Sequence, residues 1–152
     1  RGVARFGIIH FLQTIFESER LLVPVIEDHD GILLKSEGDS LLVIFRKVNK
    51  AIQCSLKMQE ILIEYNRDKP EEEKILLCIG LGFGTMLRIG DADVFGAEVN
   101  AASKLGEDTA EAWEILVTGS VKKMCDLDNV EFIKLDEAPP GASEAYSIVL
   151  KK

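Results

Sequence analysis

A chain of 152 residues, 47% hydrophobic and with a formal net charge of −8, is long enough to bury a core of its own. It is too acidic for unspecific binding to nucleic acid or an anionic membrane, since both need a basic surface. Three cysteines at positions 54, 78 and 125 are odd in number and form no CxxC pair; they argue for reduced thiols and a cytoplasmic setting, with neither a zinc site nor a disulfide frame.

From residue 3 to residue 29 the apolar side chains fall at helical spacing. Ile8, Phe11, Leu12, Ile15, Phe16, Leu22 and Ile26 share one stripe, with Glu17, Glu19 and Arg20 opposite, which predicts a helix that Pro24 interrupts near its end. Residues 28–31 are turn chemistry. Two apolar runs, 31–37 and Ser40–Phe45, flank Gly38-Asp39 and predict a β-hairpin. A second helix is expected over 48–67, followed by a charged loop over 68–74. Residues 75–83 are almost continuously apolar, as in a strand buried on both faces, with 85–89 as its partner.

Gly96 tightens a loop that enters a short helix over 96–105. A strand over Ile115–Thr118, a brief helix capped by Ser120 and strands over 130–135 and Ala145–Leu150 complete the chain. No repeat, low-complexity tract or linker interrupts it, so one α+β domain over 1–152 is expected. No run approaches the roughly 18–20 consecutive apolar residues of a membrane span and no signal peptide is visible, so no membrane contact is expected from this segment.

Two stretches carry the chemistry. One is Lys35-Ser-Glu-Gly-Asp39 with the apolar run behind it; the other is Asp93-Val-Phe-Gly-Ala-Glu-Val-Asn100-Ala-Ala-Ser-Lys104-Leu105. Alone, each is ordinary turn or loop sequence. In this order, with the strand over 75–83 between them, they resemble the catalytic domain of the class III nucleotidyl cyclases, the adenylate and guanylate cyclases.

The resemblance implies a ferredoxin-like βαββαβ sheet with helices packed on one face and extra C-terminal strands. Its leading strand, which in the family carries a Phe-x-Asp-x-x-Gly-Phe-Thr motif, is expected to lie upstream of Arg1, because the chain reads as helical almost from its start. The domain would then be N-terminally truncated. The implied activity is adenylate cyclase: two divalent ions, Mg²⁺ or Mn²⁺, assist attack of the ribose 3′-hydroxyl on the α-phosphate of ATP, releasing cyclic AMP and pyrophosphate.

Residue by residue, Asp39 matches one metal aspartate, with its partner belonging to the leading strand. Lys35 and Asp93 match the pair that reads adenine, and Asn100 the asparagine that orients the ribose. Lys104 stands where the family has a transition-state arginine, an exchange that keeps the charge but loses the bidentate fork. Lys134 is a loose match to a phosphate-binding lysine. The implied assembly is a head-to-tail homodimer with shared sites, attached to a sensor domain. The alternative is a weak or inactive cyclase-homology domain acting as a nucleotide-binding or dimerising regulatory module, and an aspartate in the leading-strand motif is the feature that separates the two.

His10, His29, Trp113 and the Gly80-Leu-Gly-Phe-Gly84 run read as structural. No Walker lysine follows the glycines, which suit a strand that packs closely against a neighbour.

Overall fold

Residues Val3–Thr14 form a strand, β1, where the apolar stripe predicts a helix. The computed structural model describes residues 3–14, 19–37, 40–89 and 93–151, with the backbone alone for 3–14, 37, 88, 89 and 93. After β1 come α1 (Glu19–Asp28), β2 (Ile32–Glu37), β3 (Ser40–Phe45), α2 (Val48–Asn66), β4 (Cys78–Ile89), β5 (Asp93–Phe95), α3 (Ala97–Lys104), β6 (Ile115–Thr118), α4 (Gly119–Met124), β7 (Val130–Lys134) and β8 (Ala145–Leu150).

Among the described residues the sheet runs β2-β3-β1-β4-β6-β8-β7, with β5 against β4. Its first six elements are therefore a complete βαββαβ unit. The leading strand expected upstream of Arg1 is β1 itself. It is central, antiparallel to β3 on one side and, over all twelve residues, to β4 on the other. A strand covered on both faces has no reason to alternate polar with apolar, so its composition is compatible with either period and the pairing partners decide.

α1 keeps Pro24 inside it and closes with Gly31 N donating to Ile26 O at 2.9 Å and Asp30 N to Glu27 O at 3.1 Å. This paired closure puts Asp30 in the left-handed region, at φ 63°. Gly31 is required for a different reason: a Cβ there would lie 2.7 Å from the Phe45 ring.

The main core lies between the sheet and the helices α1 and α2. Leu22, Ile26, Ile52, Met58 and Leu62 pack on Val43, Phe45, Ile79, Leu81, Ile115 and Val117. Cys54 is buried among them, which pushes its thiol pKa up to about 12. The loop after α2, where Glu71–Glu73 make one 3₁₀ turn, is held by Asn66. Its side chain donates to Ile75 O and accepts from Ile75 N, both at 2.8 Å.

β4 begins at Cys78 and continues unbroken to Ile89, so the two strands expected over 75–83 and 85–89 are one. Gly80, Gly82 and Gly84 line its other face, and α3 lies directly on them. A Cβ at Gly82 would come within 2.5 Å of Glu98 O, and one at Gly80 would strike Ala102 O. The glycine run thus serves close packing of a helix on a strand, as the absence of a Walker lysine implies. α4 is capped by Thr118, whose Oγ1 accepts from Val121 N, rather than by Ser120. No helix among the described residues is long and apolar enough to cross a membrane.

Candidate active site

The hairpin forms as the sequence predicts, with Glu37 opposite Ser40. Asp39, the candidate metal ligand between those strands, lies outside the described residues. A bulge between Leu33 and Lys35 adds one residue to β2 and brings Lys35 opposite Leu42. Leu42 belongs to a small second core with Ile44, Met86 and Val94, against which Leu34 and Val99 of α3 also pack. Lys35, half-buried, is therefore on the α3 side of the sheet.

Asp93 opens β5, opposite Ile89. Asn100 and Lys104 are one helical turn apart on α3 and both exposed. Lys104 Nζ is 3.3 Å from Asp108 Oδ2 in the π-turn Leu105–Thr109 that continues the helix. The same turn supplies Glu107, which accepts from Ser103 Oγ at 3.3 Å and from Ser40 Oγ at 3.4 Å. The end of α3 is thereby tied to the residue that follows Asp39, a contact no local pattern in the sequence announces.

Lys134 is elsewhere. It ends β7, the edge strand farthest from β2, six strand spacings or roughly 29 Å across the sheet. Its Nζ is 3.4 Å from Glu144 Oε2. Tyr146 Oη donates to the other Glu144 oxygen. That bond, then Lys134, holds Glu144 below the usual carboxylate range, and the same bond holds Tyr146 above the usual phenol range. Within one chain the structure groups Lys35, Asn100 and Lys104 on one face and leaves Lys134 apart.

β1 bears on metal binding. The end of β1 reads Phe11-Leu-Gln13, with glutamine two places after the phenylalanine where the leading-strand motif has aspartate. The register agrees: Thr14 pairs with Ser40 and Gln13 with Leu41, beside the hairpin tip. No aspartate or glutamate occurs anywhere in Val3–Thr14. A neutral amide cannot replace a carboxylate that offsets the charge of a divalent ion. Among the described residues no three His, Cys, Asp or Glu side chains are grouped to hold a metal. Among the described residues the donor set does not make up a two-ion site, and Asp39 lies outside them.

The family described as Adenylate and Guanylate cyclase catalytic domain matches residues 5–146. The chain belongs to that family. A Rhizobium meliloti (strain 1021) protein provisionally named adenylate cyclase 3 is 33% identical over 87 residues, or 57% of this chain. The Myxococcus xanthus serine/threonine-protein kinase pkn2 is 32% identical over 103 residues, or 68% of this chain. The chain spans 15% and 12% of the length of these curated relatives.

Two solved structures carry the fold comparison. The catalytic core of a rhodopsin-guanylyl cyclase with converted specificity, in complex with ATPαS, superposes with a TM-score of 0.80 at 18% identity, covering 100% of both chains. The adenylate/guanylate cyclase/hydrolase of Silicibacter pomeroyi gives 0.79 at 22% identity, covering 95% of each. The class III cyclase fold is thus shared over the whole length.

Proposed function

We propose that residues 1–152 act as an adenine-nucleotide-binding, dimerising regulatory module built on the cyclase catalytic fold. The observation that carries this reading is β1: the strand beside the hairpin tip holds Gln13 and no carboxylate, while Lys35, Asp93 and Asn100 keep the residue types that contact base and ribose. Lysine donates to the adenine edge and aspartate accepts from its amino group, so the pair selects ATP over GTP. Lys35 and Asp93 would meet a nucleotide across a head-to-tail homodimer, and neighbouring domains would read its occupancy. Lys104, a point charge beside Asp108, and Lys134, beside Glu144, contact phosphate as a solvated rim and hold it weakly.

The second reading is a slow adenylate cyclase that converts ATP to cyclic AMP and pyrophosphate. Asp39 and Asn100 favour it, since both match residues of the turnover machinery. The test incubates the chain with ATP or GTP and Mn²⁺, measures cyclic product, and measures binding of a fluorescent ATP analogue in parallel. ATP analogue binding without cyclic product is expected. Cyclic AMP from the wild-type chain would overturn the binding-module reading, and Gln13→Asp should raise Mn²⁺ affinity if β1 is where the carboxylate was lost.

A further inference from the structure

The parallel ladder between β4 and β6 pairs Ile79 with Ile115, Gly80 with Leu116 and Leu81 with Val117, and then stops. β6 turns away at Thr118 into α4. The next β4 amide on that side, at Phe83, is left without a strand carbonyl. A side chain from α3 fills the gap: Phe83 N donates to Glu98 Oε1 at 2.9 Å. Thr118 Oγ1, itself fully buried, donates to the same oxygen at 2.6 Å while accepting from Val121 N at the start of α4.

Glu98 reaches this point because β4 makes room for it. A Cβ at Gly82 would come within 2.5 Å of Glu98 O, and one at Gly84 within 2.9 Å of Glu98 Cγ. The two glycines form a notch that seats the backbone and stem of this one residue. Its carboxylate then stands in for a backbone carbonyl at the fork where two strands part. Charge-assisted bonds of this kind are shorter and roughly twice as strong as neutral ones, and this one fixes both the height and the rotation of α3.

We propose that Glu98 is the positioning residue that sets where Asn100 and Lys104 stand over the sheet. The inference rests on the nucleotide-binding reading above for what those two residues meet, but the anchoring of α3 is independent of it. Asn100, two places on, projects from the opposite side of the helix and is exposed, so a rotation of α3 of a few tens of degrees would move its amide by ångströms. Thr118 links the same carboxylate to α4 and carries the position of α3 into the C-terminal strands.

The experiment compares the full chain with Glu98→Ala and Glu98→Gln. It reads fluorescent ATP analogue affinity, thermal midpoint, and amide hydrogen exchange at Phe83 and along α3. Glu98→Ala should weaken the analogue about tenfold, the loss of one charge-assisted bond expressed in affinity. It should also speed exchange at Phe83 and in α3 more than in α2. Glu98→Gln, which keeps an oxygen acceptor and folds, should stay within about threefold of wild type. A lower midpoint in Glu98→Ala with unchanged affinity of the folded protein would overturn the proposal, as would equal loss in both variants. If the wild-type chain does not bind the analogue, the nucleotide reading falls. The exchange data then decide Glu98 alone: acceleration confined to Phe83 and α3 supports it, and uniform acceleration removes it.

Discussion

Single side chains in this molecule are governed mainly by what burial does to their polar atoms. Cys54 has no exposure and its pKa is pushed up to about 12 by desolvation of the thiolate. The sign of the consequence follows. Below the unfolded value, near 9.0, the thiol is neutral in both states and burial costs nothing. Above it the unfolded chain ionises and the folded chain does not, so stability falls as pH rises from 9.0 towards 12. The slope from this one group is about 1.4 kcal/mol per pH unit. Urea unfolding at pH 8, 9.5 and 10.5 should show that extra loss in wild type and not in Cys54→Ala. In the native state Cys54 should resist alkylation at pH 8 and react only on unfolding.

Lys104 shows the limit of reading charge from sequence. The residue type is right for phosphate, yet its nearest carboxylate is four residues on, at 3.3 Å. An exposed i,i+4 pair stabilises by only about 0.3–0.5 kcal/mol, so the pairing leaves Lys104 available without pre-setting its geometry.

At the scale of elements, the joints matter more than the elements. α2 and the strand after it are tied by Asn66, whose amide makes both bonds to the Ile75 backbone. Asn66 is 6% exposed, so removing its side chain leaves a buried N–H and a buried C=O without partners. Asn66→Ala should cost about 2–4 kcal/mol, seen as a lower urea midpoint at unchanged m-value. Asn66→Asp, which keeps only the acceptor, should fall between. The α3–β4 contact makes a similar demand of a different kind. Gly82 faces Glu98 O with no room for a methyl group, and Gly82→Ala must push α3 off the strand. The expected cost is about 1–3 kcal/mol from overpacking. Because the displaced segment carries Asn100, nucleotide affinity should fall with it.

For the molecule as a whole, the described candidate residues do not all meet within one chain. Lys35 and α3 share a face of the sheet, but Lys134 ends the far edge strand. A head-to-tail dimer would join complementary halves, and ligand would then bind the dimer and not the monomer. Mass action makes this measurable. ATP analogue bound per chain should fall as protein is diluted through the dimer dissociation constant, in step with the sedimentation coefficient. Binding independent of protein concentration would place the site within one chain. The net charge of −8 opposes association of like chains, so added salt should strengthen the dimer.

Some of this was determined by the sequence alone, because the signals are local. The hairpin around Gly38-Asp39, α2, β6 and the last two strands follow from turn chemistry and periodicity within a dozen residues. The Lys35, Asp39, Asp93, Gly96 and Asn100 pattern marked the family by spacing. The tertiary structure decided what depends on partners distant in the chain. Val3–Thr14 is a strand because β3 and β4 flank it; a strand in the middle of a sheet need not alternate polar with apolar, so its sequence does not declare its period. That pairing brought the leading strand inside the chain, where it carries Gln13 and no carboxylate. Glu98 reads as a surface helix residue until β6 is seen to leave β4 at Thr118 and expose the Phe83 amide. A hydrogen bond whose donor is orphaned by the parting of two strands exists only once those strands have met.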